Sequence, residues 1–232
     1  MNSQSFPVRH IAIALLLALF LLNTSALAGP PLICHSFDIG EAKSLPWISH
    51  DWNLTGTETY ETRNLVADTM AILNSDSVVL VHMETLRRAT LYARRDPIAA
   101  KQLLTKLVAR ANSAGESPQA ALASFDAGYF AETYKKLWDL TSANPAQGFD
   151  GYALVKRAIQ LRGNDSQMDF AAALITMGGP ASEHQDYAQK TIAGAKNDAL
   201  LARNLTTHFI GPQSETMVEM ISRTLSVKVA KQ

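Results

Sequence analysis

The chain has one cysteine, Cys34, in 232 residues, so no disulfide can form within it. Small exported proteins often need such staples, but a chain of this length can bury a core large enough to do without them. Charge of either sign is also missing in excess. The 21 basic and 21 acidic residues cancel, and losing Arg9 with a leader leaves a formal charge of −1. No long-range field favours nucleic acid or an anionic membrane, and neither is expected as a partner. Aromatic residues make up only 7 % of the chain. The signatures of common enzyme classes are absent too. The chain has no G-x-S-x-G elbow, phosphate-binding loop, H-E-x-x-H or dinucleotide fingerprint. On this reading no catalytic residue and no cofactor is assigned.

Long apolar runs are confined to the N-terminus. Arg9 and His10 give a basic edge, residues 11–22 an apolar core, and Ala26-Leu27-Ala28 a small-x-small cleavage pattern. This order predicts an export signal over residues 1–28, cut between Ala28 and Gly29, and so a periplasmic or secreted mature chain. The core falls short of the roughly twenty apolar residues of a membrane span. An uncleaved anchor is the alternative, and no span is expected in the mature chain. Pro31-Leu32-Ile33 before Cys34 does not suit a lipid-attachment site, which needs a small residue directly ahead of the cysteine.

Residues 29–56 hold three of the nine prolines and two of the three tryptophans. Gly29-Pro30-Pro31 is expected to be non-helical, and Pro46 interrupts any helical turn near residues 39–43. The segment reads as an irregular arm. Leu32, Ile33, Phe37, Trp47 and Trp52 are too apolar for a free tail, so the arm should pack on the body or on a partner.

From Tyr60 onward the composition is that of helices, rich in Ala, Leu, Lys, Arg and Gln. Breaks recur at residues 74–77, Asp96-Pro97, Gly115 with Ser117-Pro118, and Asn144-Pro145 with Gly148. Further breaks fall at residues 163–166, Gly178-Gly179-Pro180, Asn197-Asp198 and Gly211-Pro212. They delimit eight candidate helices over residues 57–211, with a C-terminal helix and tail over 212–232. Leu103, Leu104, Leu107, Val108 and Ala111 form an i, i+3, i+4 stripe. The β-branched run Val78-Val79-Leu80-Val81 looks like a strand, but it continues unbroken into Met83–Tyr92 and is assigned to a helix.

The predicted fold is all-α: stacked antiparallel helical hairpins, as a tetratricopeptide-like α-solenoid or an irregular bundle, with an irregular N-terminal arm. Aromatic-alanine pairs at Tyr92, Phe130, Tyr152 and Tyr187, two of them with a glycine just upstream (Gly128, Gly151), hint at a hairpin repeat. The full tetratricopeptide consensus is missing.

Several residues are candidates for chemistry. Cys34 and His35, with Asp38, His50 and Asp51, could bring thiolate, imidazole and carboxylate to zinc or copper. Cys34, His35 and His50 are the metal candidates, and no second cysteine supports them. An isolated cysteine more often packs in a core. His82 reads as a core or boundary histidine. Glu183, His184 and Asp186 read either as an acid–base group or as a first helical turn capped by Ser182. Arg87-Arg88 and Arg94-Arg95 read as a solvated helix face. Trp47, Trp52, Tyr129 and Trp138 are candidate partner anchors, although Tyr129, Phe130, Tyr134, Leu137 and Trp138 also trace a core stripe.

At residues 29–47 the chain resembles a group of exported bacterial proteins of unassigned function. These carry a similar Gly-Pro-Pro-x-x-Cys-His opening and Ser-Leu-Pro-Trp segment after the signal peptide. Met83–Ala89 with Tyr92-Ala93 looks like a second shared stretch. The resemblance implies a bacterial exported protein and brings no activity with it. Taken together, the expectation is an exported, non-enzymatic helical scaffold or binding module for a protein or peptide. The alternatives are a metal-binding or thiol-dependent enzyme at Cys34, His35 and His50, or an envelope component dimerising through Cys34.

Overall fold

A computed structural model describes residues 31–47, 59–73, 77–137, 144–177 and 179–208. The described residues form helices and no strand, as predicted. A short α1 (Pro31–Cys34) precedes a 3₁₀ turn (Thr62–Asn64) that leads into α2 (Leu65–Leu73). Then follow α3 (Val79–Ala93), α4 (Pro97–Ser113), α5 (Pro118–Lys135), α6 (Gly151–Arg162), α7 (Ser166–Thr176), α8 (Ala181–Ala195) and α9 (Ala199–Asn204). The eight helices expected between residues 57 and 211 correspond to α2–α9. The expected leader, His50, Trp52, Trp138 and the C-terminal helix lie outside the described residues.

The breaks work through local capping. Asp96 accepts the Ala99 N–H at 2.9 Å with Pro97 in the first turn, and Ser117 does the same for Ala120 ahead of Pro118. Asp150, Asp165 and Asp198 cap α6, α7 and α9. Each satisfies N–H groups that the helix itself leaves unpaired. Two expected terminus details change. Pro31 opens a helical turn, because a first-turn proline gives up an N–H that no helix uses. Ser182 lies inside α8, whose N-cap position is Pro180 with no side-chain cap.

The architecture is a bundle around α3. A solenoid helix touches only its sequence neighbours, whereas α3 packs on α2, α4, α5 and α7 and also meets the arm. Every residue of α3 except Arg88 is buried. The β-branched start of α3 has no side-chain cap of its own. Gln167 of α7 supplies one, accepting the Leu80 N–H at 2.9 Å.

The α5–α6 and α7–α8 pairs form the closest helical hairpins. At the first, Gly128 faces Gly151. A Cβ on Gly128 would lie 2.4 Å from the Gly151 carbonyl oxygen, and one on Gly151 would lie 2.6 Å from that of Gly128. The glycines of the suspected repeat therefore set a backbone-to-backbone contact. In α7–α8 Gly194 instead makes room for the Ser166 side chain, whose Cβ would lie 2.1 Å from a Cβ at position 194. Phe125, Tyr129, Phe130 and Tyr134 of α5 are fully buried, which makes the aromatic series a core stripe.

The arm packs on the body. Leu32, Ile33, Phe37 and Leu45 join the core, each contributing about 1.5–3 kcal/mol of burial.

Candidate functional site

Of the residues nominated by sequence, Cys34, His35, Trp47, Arg87 and Arg88 meet at the arm–α3 junction. Glu84 is fully buried and receives four hydrogen bonds. They come from Arg87 Nε (2.7 Å) and Nη2 (2.9 Å), Arg88 Nε (2.7 Å) and the Phe37 N–H (3.0 Å). Burial pushes its carboxyl up, but the two guanidinium groups and the amide outweigh that and hold it below the usual range. Arg87 also donates to the Ile33 carbonyl at 3.0 Å and to Ser36 Oγ at 3.1 Å, and it lies over the Trp47 ring at 5.0 Å. Arg88 donates to the Leu45 carbonyl, and the Tyr92 hydroxyl to that of Pro46. The expected solvated Arg87-Arg88 face is thus an internal clamp on the arm. Arg94 is partly exposed and Arg95 exposed.

Cys34 and His35 sit beside this clamp, both half-buried. The His35 ring meets His208 edge-on at 5.6 Å, and His208 stacks on Phe37 at 4.5 Å. Burial raises the Cys34 thiol, only partly offset by Arg87. Burial and then Arg87 lower His35. Burial pulls His208 down to about 4. A thiol held protonated beside neutral imidazoles is a poor nucleophile and a poor metal ligand. Asp38 turns away to pair with Arg203 at 2.6 Å. No group of three or more His, Cys, Asp or Glu suited to a metal ion occurs among the described residues.

The other titratable candidates are tied into the interior. His82 Nδ1 bonds Asp126 Oδ1 at 2.7 Å, and Arg110 Nη1 reaches the second oxygen of Asp126 at 2.7 Å. Both His82 and Asp126 are fully buried, and this chain joins α3, α4 and α5, reaching solvent only at the partly exposed Arg110. Sequence reading found His82 but neither partner, since nothing local links residue 82 to residue 126. His184 is buried with Nδ1 3.0 Å from the Ala173 carbonyl, and Glu183 accepts the Tyr152 hydroxyl at 2.7 Å. Neither residue is arranged as an acid–base pair with the other.

The described residues also line recesses, two of which bear on binding. A polar pocket of about 210 Å³ lies where α3, α7 and α9 begin, lined by Asp165, Gln167 and Asp198. Gln167 donates to Asp198 at 2.6 Å, and the two carboxylates cap their own helices. The protein's own groups therefore meet its anion-attracting helix ends.

The larger recess is a groove of about 1190 Å³ along the outer face of α4. Val66 of α2 and Pro145 form its walls, and Pro97, Ile98 and Ala109 run along α4 itself. Ile98 is 71 % exposed, the highest value among the described large hydrophobic residues. Lys101 and Lys106 are the charged groups that line it. Sequence reading stopped at the Leu103–Leu107 stripe and missed this face. The signal was present: nine residues at about 100° each place Ile98 opposite Leu107. Of the nominated anchors, Tyr129 is buried and Trp47 half-buried against Arg87 and Tyr92.

Among the described residues no helix is long and apolar enough to cross a membrane. Comparison with known proteins found no matching family model, no matching curated protein and no matching solved structure.

Proposed function

We propose that this chain is an exported helical scaffold that binds a segment of a partner protein by non-covalent recognition. The α4 groove carries this reading. A large aliphatic side chain at 71 % exposure, in a recess it shares with Val66, Pro97, Ala109 and Pro145, favours an interaction surface. The groove, about 1190 Å³ and open to solvent, has room for a polypeptide segment. The apolar leader with its Ala26-Leu27-Ala28 pattern supports export.

A photo-crosslinking residue at position 98, introduced in cells expressing the full chain, tests both parts. The expected result is a crosslinked protein of the cell envelope or medium, found on a chain whose N-terminus is Gly29. That protein, once purified, should bind the wild type directly and lose binding to Ile98→Glu. Absence of a position-98 crosslink overturns the binding reading. A mature chain beginning at Met1 in the cytoplasm overturns export.

A further inference from the structure

The arrangement of charge along the groove specifies the partner further. We propose that the α4 groove accepts an acidic, amphipathic helix of about three turns. This inference rests on the binding reading above and names the chemistry of the bound segment.

The first argument is the layout of α4. Helical rotation of about 100° per residue places Ile98, Thr105 and Ala109 within a narrow strip. Lys101 then lies about 60° to one side of Ile98 and Lys106 about 80° to the other. Both lysines are exposed. The groove floor thus carries Ile98 and Ala109 together with the polar Thr105 and Gln102, between two cationic edges. Asp96, the acid at the start of α4, spends its two oxygens on the Ala99 N–H and the Thr62 hydroxyl. A segment carrying acids on both flanks of an apolar stripe complements this pattern, and a basic segment is repelled by it.

The second argument concerns backbone. An extended peptide docks by main-chain hydrogen bonds to an exposed strand edge. The middle of a helix presents no free N–H or C=O, and no strand occurs among the described residues. An extended segment therefore gains no main-chain bonds here, whereas a helix satisfies its own backbone and needs none. The third argument is length. Pro97 to Ala109 spans about 18 Å at 1.5 Å per residue, which matches about three helical turns.

Selection from a display library of random peptides of about 14 residues tests the proposal, with purified mature chain as bait and Ile98→Glu as counter-bait. The expected pool has apolar residues at helical spacing, flanked by Asp and Glu. A selected peptide should bind at least about tenfold more weakly to the Lys101→Glu/Lys106→Glu double variant and should weaken as salt rises. All changed residues are exposed, so circular dichroism and melting temperature should match the wild type and certify folding. A neutral or basic pool, or unchanged binding to the double variant, overturns the acidic partner and leaves the binding reading standing. No Ile98-dependent enrichment overturns both. Ile98-dependent sedimentation with anionic phospholipid vesicles, or an Ile98-dependent dimer in equilibrium sedimentation, also overturns the proposal by assigning the groove to a membrane or to a second copy.

Discussion

Glu84 and Arg87, one turn apart on α3, form a two-pronged ion pair wholly inside the protein, with Nε–Oε2 at 2.7 Å and Nη2–Oε1 at 2.9 Å. The pair faces the arm. Its leftover hydrogen-bonding capacity is spent on Phe37, Ser36 and Ile33 of that segment. A buried ion pair is a weak source of net stability, but breaking one strands the remaining charge.

Replacing Glu84 with Gln should therefore cost about 3–5 kcal/mol, because Arg87 and Arg88 lose the carboxylate that neutralises them. The effect should concentrate in the arm. Hydrogen exchange at the Phe37 amide, bonded to Glu84 Oε2, should accelerate more than at amides in the centre of α5. Equal acceleration across the chain would show that the arm and body unfold as one unit and that no local clamp exists.

The clamp explains where sequence reading succeeded and where it stopped. Asp96-Pro97, Ser117-Pro118, Asp165 and Asp198 act on N–H groups two or three residues away, so composition alone located the helix starts. Arg87 draws its partners from residues 33 and 36, some fifty positions upstream, and only the folded chain brings them together. The same limit hid Asp126 and Arg110 from the reading of His82. Tyr129 could be read either as an anchor or as core, and its place beneath α3 decided for core. Ile98 was legible in principle, since one helix cannot turn both Ile98 and Leu107 toward the same core.

Two groups should give the stability curve opposing slopes on the acid side. His208 is pulled from 6.5 to about 4 by burial, against backbone hydrogen bonds to Asn204 and His35 and with the charges of His35 and Arg87 adding to the effect. Between those values the unfolded chain takes up a proton that the native state refuses, so stability falls by about 3 kcal/mol as pH drops. Asp169 is raised from 3.8 to about 6, mainly by burial and also by Asp165 and Asp186, against the pull of Lys190. The native state holds that proton first, so the Asp169 contribution rises as pH falls through the same range. Urea midpoints measured from pH 7 to pH 4 should separate the two. Relative to wild type, His208→Gln should gain stability as pH falls and Asp169→Asn should lose it. Curves parallel to wild type would remove these two residues from the account.

Cys34 should behave as a packed thiol. Burial raises its pKa, which lowers the thiolate fraction that reacts with alkylating agents. Iodoacetamide labelling at pH 7.5 should run several-fold slower in the native chain than in urea. On a non-reducing gel, the wild type and Cys34→Ser should both migrate as monomers. Fast native labelling, or a dimer band that Cys34→Ser abolishes, would return the thiol to the list of functional groups.

The Gly128–Gly151 contact leaves no room for a side chain at either position. Alanine at position 128 would gain about 1 kcal/mol of helix propensity in isolation. The added Cβ would, however, lie 2.4 Å from the Gly151 carbonyl oxygen and 2.9 Å from Val155 Cγ2. A backbone oxygen cannot rotate aside as a side chain can, so α5 and α6 must separate. Overpacking of this kind costs about 1–3 kcal/mol or more and outweighs the propensity gain. Gly128→Ala and Gly151→Ala should each lower the chemical denaturation midpoint. Both act on one crossing, so the double variant should lose less than the sum of the two. Additive losses would mean that each glycine is constrained by a separate neighbour. A stabilised Gly128→Ala variant would mean that the helices do not cross this closely in solution.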